Sequence, residues 1–269
     1  MSLSIKELNI YPVKSLAGIS LQEAMVTDRG LQHDRRWVLV SDDNVFLSQR
    51  NHARMALLKP EIVGDRLRIT SREGGAVEIP LEPNGGDEVR IEVWDDTCEG
   101  MVMSAVVNHW FSSQLGQACR LVYMPDRSRR KVDPRYARDG EVVSFADGYP
   151  FLILSEASLD GLNQRLTTPV PINRFRANII IDGARAHEED DWKEFLVNGI
   201  QFFGVKPCAR CQVVTIDQEN ALASKEPLAT LSQYRREGNK VLFGMNLLHK
   251  GQGSLRQGDM LRVTSRFSR

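Results

Sequence analysis

Cys208 and Cys211 stand three residues apart in "GVKPCARCQVVTID", Gly204 to Asp217, and make up half of the chain's cysteines. Such a pair can hold a metal, exchange electrons as a dithiol, or pack as two small apolar side chains. Zinc normally takes four ligands. Here Cys98 and Cys119 are isolated and His187 and His249 show no paired spacing, so no zinc is expected. An iron–sulfur cluster is not expected either, since four thiolates would have to converge. A thioredoxin-type dithiol belongs at a strand-to-helix turn, whereas this pair falls between two apparent strands. Molybdenum on a pterin dithiolene needs only one protein thiolate. Soft sulfur suits that metal, and Lys206 and Arg210 would help keep a thiol ionised. On chemistry alone either cysteine could be the ligand.

Four further stretches carry groups suited to an anionic ligand. In "YPVKSLAG", Lys14 and Ser15 could place an ammonium and a hydroxyl on a phosphate, without the glycine spacing of a nucleotide-binding P-loop. In "HDRRWVLV", Arg35 and Arg36 head a strand, and alternation sends them to opposite faces. An arginine turned inward beside Trp37 calls for an anionic or aromatic partner. In "SFADGYPFLIL", Asp147 and Gly148 form a turn that exposes backbone N–H groups beside a carboxylate. In "NRFRANIIID", Arg176 and Asn178 are read as sharing one strand face, a hydrogen-bonding platform for a heteroaromatic ring or a phosphate.

The elements that would position these groups are mainly strands. "RRWVLVSDDNVFLSQR", "DRLRITSREGGAVEIPL" and "VRIEVWDDTCEGMVMS" read as hairpins turning at Asp42-Asp43-Asn44, Gly74-Gly75 and Asp95-Asp96. The period then changes. Val106, Val107, Trp110, Phe111 and Leu115 share a helical face that Gly116 ends. A polar, basic stretch from Met124 to Gly140 reads as a long surface loop. Its Arg127–Lys131 cluster could dock an acidic electron-transfer partner. A helix on Leu159, Leu162 and Leu166, the strand "ANIIID", a hairpin through Asn198-Gly199, a short helix around Leu231 and a last strand "DMLRV" follow. The expected fold is mainly β with several helices (α+β), divided into a β-rich domain over residues 1–120 and a second over 121–269.

Lys+Arg and Asp+Glu both number 35. That balance removes the bulk electrostatic case for nucleic acid or an anionic membrane. Four cysteines do not make a disulfide framework in a chain of this size. The N-terminus shows no presequence pattern, and no apolar run reaches the ~20 residues that span a bilayer. A cytoplasmic protein is expected.

Taken together, "YPVKS", "GLQHDRRWVLV", "SFADGYPFLILSEASL", "RFRANIIIDG", "EEDDW", "KPCARC", "EPLATL" and "FGMNL" resemble, in order, the MOSC superfamily. In these proteins a β-barrel MOSC domain follows a β-rich N-terminal partner domain. Within it the likeness is strongest to the amidoxime-reducing proteins and their bacterial relatives. The resemblance implies a molybdenum cofactor of the Mo-molybdopterin type, with Cys211 as metal ligand and Ala209 and Arg210 lining the same loop. It implies that Lys14, Ser15, Arg35, Arg176 and Asn178 bind the cofactor, and that Asp147, Gly148 and Tyr149 lie beside the metal, with Asp147 handling protons. Cys208 would sit near the metal without ligating it. Ala177 stands where the family often has proline.

The implied activity is two-electron reduction of small N-hydroxylated compounds, such as amidoximes, by oxygen abstraction. Several bacterial relatives carry a C-terminal ferredoxin domain. None follows the last strand here, so electrons are expected from a separate ferredoxin, flavodoxin or flavoprotein, or cytochrome b-type partner. Two alternatives stand beside this reading: a non-catalytic carrier or transfer module for the cofactor, and a structural β protein with no cofactor.

Overall fold

The computed structural model describes residues 2–268. Among them, the main sheet has nine strands. Along its path, neighbours run Arg262–Arg266, Trp192–Val197, Ile200–Arg210, Lys240–Lys250, Phe151–Ser155, Ile179–Asp182, Ser4–Ile10 and Ile19–Leu21, with Arg236–Glu237 added beside Lys240–Lys250. All its pairings are antiparallel except Phe151–Ser155 with Ile179–Asp182. The ladder is an open path rather than a closed barrel. Its two ends nevertheless approach, since Gly258 and Leu261, just before the last strand, donate N–H groups to Ile5 and Leu3. The concave side is filled by Ile5, Leu8, Phe151, Ile153, Trp192, Phe195, Phe202 and Leu247. Alternation along these strands puts every second side chain into that core.

A second, smaller body is built from a four-stranded sheet and a three-stranded one. The first pairs Trp37–Val40, Arg120–Tyr123, Asp96–Val102 and Asp87–Val93; the second pairs Lys59–Val63, Arg66–Thr70 and Ala76–Pro80. The expected hairpins at Gly74-Gly75 and Asn198-Gly199 are present. The third turns at Trp94-Asp95, one residue early. After Trp37–Val40 the chain turns as expected, but its return makes only a bridge from Val40 to Phe46. Helix α1 (Ala105–Leu115) begins at the Ser104 side-chain cap and ends on Gly116 in the left-handed conformation, φ 68°. Helices α2 (Glu156–Asn163) and α3 (Leu228–Tyr234) cover the outer face of the main sheet through Leu162, Leu231, Phe175 and Phe243. No helix among the described residues is long and apolar enough to cross a membrane.

Ser4–Ile10 pairs with Ile179–Asp182, and Glu23–Thr27 pairs with Gly253–Arg256, so the first strands are woven into the larger body. The final strand runs Arg262–Arg266, a few residues later than "DMLRV" suggests.

The stretch Met124–Gly140 differs from a solvated loop. It forms no regular element, yet Met124, Ser128, Arg130 and Val132 are buried. Its basic cluster is largely neutralised: Arg127 pairs with Glu88, Arg129 with Asp28 and Arg130 with Asp96. Arg130 also donates to the carbonyls of Ser144 and Ala146, so it anchors the segment leading into Asp147. Three arginines engaged this way leave little free charge for an acidic docking partner.

Candidate functional site

Between the two bodies lies a cleft of about 920 Å³, counting its open mouth. Lys14, Ser15, Arg35, Asp147, Gly148, Tyr149, Arg176, Asn178, Ala209, Arg210 and Cys211 all line it, as does Cys208. The sequence-predicted residues thus converge on one wall-and-floor surface, although they come from five separate segments.

Tyr11 organises the floor. Its ring is buried and lies between two guanidinium groups, Arg35 at 4.4 Å and Arg176 at 4.3 Å. Gly18 allows this, because a Cβ there would come within 2.6 Å of the Tyr11 ring. The pairing of Tyr11 with Gly18 at the two ends of "YPVKSLAG" is a function of that motif that charge-based reading misses.

Arg35 is left-handed at φ 50° and precedes the strand Trp37–Val40. Its side chain bonds Asp34 at 2.6 Å, Asn178 Oδ1 at 3.1 Å and the Arg176 carbonyl at 3.1 Å. Arg36 points the other way, to Met124, Tyr123 and Asp126. The two arginines diverge as expected, through a backbone turn at Arg35 rather than strand alternation.

A correction concerns Arg176 and Asn178, which do not share a strand face. Arg176 ends the 3₁₀ turn Ile172–Phe175 in the left-handed conformation, φ 53°, and the strand begins at Ile179. Arg176 donates to the Leu16 carbonyl at 2.7 Å, and burial pushes its guanidinium down to about 10, with Tyr11 opposing. Asn178 is a rivet: Oδ1 accepts from Arg35 and the Leu152 N–H, while Nδ2 donates to the Asn9 carbonyl. Its amide holds the floor together and has little capacity left for a ligand.

On the side wall, Lys14 is 5% exposed and pairs with Asp147 at 2.5 Å. Burial lowers the Lys14 ammonium, and Asp147 opposes that. Desolvation opposes the Asp147 charge too, but the Lys14 charge and the Trp94 indole N–H at 3.2 Å outweigh it. They hold the carboxyl well below the usual range. In this geometry Asp147 is a fixed anion, so the proton-handling role expected for it requires that Lys14 first be drawn away. Burial raises Tyr149, which keeps its phenol proton at neutral pH.

Cys208 lies in a strand irregularity between Pro207 and Ala209, and Cys211 begins the 3₁₀ turn Gln212–Thr215. Burial pushes the Cys208 thiol up despite Arg210, which favours a protonated thiol there. Arg210 donates to the carbonyls of Phe243 and Phe175 at 2.7 and 2.9 Å. Gly244, at φ 81°, leaves it room, since a Cβ would sit 3.3 Å from Nη2.

Six cations line the cleft (Lys14, Arg35, Arg50, Arg174, Arg176 and Arg210) against one carboxylate, Asp147. Arg174 Nε and Arg210 Nη2 are buried without a hydrogen-bond partner among the described residues. Buried donors are seldom left so. Excess positive charge fits an anionic group such as a pterin phosphate, and the two thiols at the rim fit a soft metal.

Several lining residues escape sequence reading. Phe46, Arg50 and Trp94 come from the smaller body; Arg50 stacks on Trp94 at 4.3 Å, and Lys14 sits 5.2 Å from the Phe46 ring. Trp94 has φ 58° and is partly exposed. An indole in a hairpin turn is the one signal that could have drawn attention to it. Arg174, ion-paired with Asp217, lies two residues before Arg176 in sequence.

Comparison with known proteins gives two family matches: "MOSC N-terminal beta barrel domain" over residues 2–118 and "MOSC domain" over residues 140–262. Mitochondrial amidoxime-reducing component 1 of Mus musculus is 32% identical over 95% of this chain and 81% of its own length. The Homo sapiens protein of that name is 31% identical over the same shares. Molybdenum cofactor sulfurase of Homo sapiens is 30% identical over 91% of this chain, which spans 30% of that longer protein.

Proposed function

The chain belongs to the MOSC-domain family, in the form that joins an N-terminal β-barrel domain to a MOSC domain, and from that premise we propose that it is a molybdenum-cofactor-dependent reductase of N-hydroxylated compounds. The observation that carries the reading is the cleft itself. Cys211 stands at the rim of a pocket lined by six cations and a single carboxylate.

In this reading Cys211, at the head of the turn Gln212–Thr215, supplies the metal thiolate, and Cys208, in the strand irregularity beside Pro207, stays unligated. Lys14, Ser15, Arg174, Arg176 and Arg210 hold the anionic and pterin parts of the cofactor. When bound, the cofactor supplies two-electron oxygen-atom chemistry that no side chain here provides. The overall change is R–C(NH₂)=N–OH + 2 e⁻ + 2 H⁺ → R–C(NH₂)=NH + H₂O, with the N–O bond broken and electrons delivered one at a time by a separate redox protein.

The remaining work falls to side chains. An anion that engages Lys14 weakens its hold on Asp147, and the carboxyl then regains a pKa at which it can take up and release a proton. Tyr149 retains its phenol hydrogen as a donor beside it. Trp94 and Phe46 cover Lys14 from the other body, while the Asp147 side chain stays open to solvent.

The test is elemental analysis and turnover on protein made in a cofactor-competent host. Near-stoichiometric molybdenum, together with reduction of benzamidoxime by a chemically reduced viologen, is the expected result. Both should be lost in Cys211→Ala. Metal without turnover would support instead a carrier that holds the cofactor and hands it on. Folded protein without either would end both readings.

A further inference from the structure

On the far side of the Cys211 rim lies a second, larger cavity of about 1210 Å³, counted to its open mouth as above. Its wall toward the cofactor cleft is the 3₁₀ turn Gln212–Thr215: Val213 and Val214 face the cleft, while Gln212 and Thr215 face the second cavity. Arg50 lines both, and its carbonyl accepts from Gln212 Nε2 at 3.0 Å. The two spaces are therefore neighbours across one turn, with the proposed metal ligand at the head of that turn.

The lining has a definite chemistry. Ala53, Ile216, Leu228, Ala229 and Val241 make an apolar bed. Lys225 and Arg236 border it, Arg50 lines it while its guanidinium stacks on Trp94 in the neighbouring cleft, and no Asp or Glu among the described residues lines the cavity. Neither Lys225 nor Arg236 takes part in any ion pair among the described residues, while elsewhere on the surface arginines are commonly paired. The acid adjacent in sequence, Glu226, is turned to the Thr230 N–H at 3.0 Å. An apolar bed bordered by two unpaired cations, Lys225 and Arg236, suits a flat or aliphatic body that ends in an anionic group.

We propose that this cavity is the specificity subsite of the same reaction: it takes the body of the substrate and favours N-hydroxylated compounds that carry a carboxylate or comparable anion remote from the N–O group. The inference rests on the reductase reading for what is reduced, but the site's preference for anionic ligands stands on its own lining. Lys225 and Arg236 are the specificity-determining residues. Neither reaches the cofactor cleft, so the chemistry at Cys211 does not depend on them.

The experiment compares benzamidoxime, 4-carboxybenzamidoxime and 4-(aminomethyl)benzamidoxime on cofactor-loaded protein with reduced viologen as donor. Wild type should show the lowest KM for the carboxylate and the highest for the amine. Lys225→Gln/Arg236→Gln should raise KM for the carboxylate by about fivefold, as expected for two exposed charge pairs. In the same variant, kcat for all three and KM for the neutral compound should stay within about twofold, the scatter of a surface change. Equilibrium binding of the same compounds by calorimetry reads the subsite even if no compound is turned over. Turnover without charge preference in KM or binding overturns the subsite and leaves the reductase intact. Charge-selective binding lost in the double variant, without turnover, keeps the subsite and overturns the reductase. A preference that survives the double substitution places the anion elsewhere and overturns the assignment.

Discussion

The floor of the cleft and its mouth are built on opposite plans. On the floor, Arg35 and Arg176 each stack on Tyr11 and are fixed by Asp34, Asn178 and backbone carbonyls. At the mouth, Arg50 stacks on a partly exposed Trp94, and Cys211 and Gln212 begin a single short turn. A floor whose geometry is fixed before any ligand arrives can bind a large anion without reorganising. A mouth with few fixed contacts can accept different small molecules. The difference assigns holding to one region and choosing to the other.

The comparison breaks most sharply at Cys211, the one mouth residue proposed to hold. Cys211→Ser should empty the protein of molybdenum and reduce turnover to background, with the unfolding midpoint unchanged; retained metal would move the ligand elsewhere. Next comes the floor. Arg35→Ala leaves Asp34, 1% exposed, without its counter-ion. Denaturant unfolding should show a loss of ~3–5 kcal/mol, the usual cost of breaking a buried pair, and weaker cofactor retention. Tyr11→Ala should cost ~3–5 kcal/mol as a large buried ring is removed. Tyr11→Phe keeps the ring and gives up only the 3.4 Å bond to the Ala177 carbonyl, ~0.5–1.5 kcal/mol, with metal content preserved. Equal metal loss in both would mean the ring does not organise the floor.

The wall between the regions offers a pH test. The Asp147 carboxyl is depressed from its ordinary value of 3.8, so its contribution to folding is complete above about pH 4 and is lost as pH falls below that. Acid unfolding of the apoprotein should be less steep in Asp147→Asn. The smallest effect belongs to the mouth: Arg50→Ala removes one exposed cation–π contact, ~0.5–1 kcal/mol, and should leave metal content untouched.

Much of the holding region was legible because its residue types are unusual for their settings. Lys14, Arg35, Arg176 and Arg210 are charged residues inside otherwise apolar, strand-forming stretches, and charge in such places seeks a partner. What stayed hidden was set by contacts between distant segments. Strand alternation could not anticipate the left-handed turns at Arg35 and Arg176. Nor could it anticipate that Asn178 joins Asn9, Arg35 and Leu152. The basic run at Arg127–Lys131 looked free because Glu88, Asp28 and Asp96 are remote in sequence. The mouth was nearly invisible for the same reason, since Trp94 and Phe46 reach Lys14 only across the gap between bodies. Hairpins and α1, whose signals are local, were read with errors of a residue or so.

The weave of the first strands also sets an order on biosynthesis. Ser4–Ile10 leaves the ribosome early, but its partner Ile179–Asp182 is not made until two thirds of the chain exists, and Glu23–Thr27 waits for Gly253–Arg256. Until then Ile5, Leu8 and Val26 have only the short local pairings with Ile19–Leu21 and Gly30–Leu31 to enter. Such long-range pairing makes for slow folding and prolonged exposure of apolar strands. A nascent chain stalled before residue 253 should therefore be a chaperone client, and the cofactor floor, which needs Asn9 and Asn178 together, can assemble only late in synthesis.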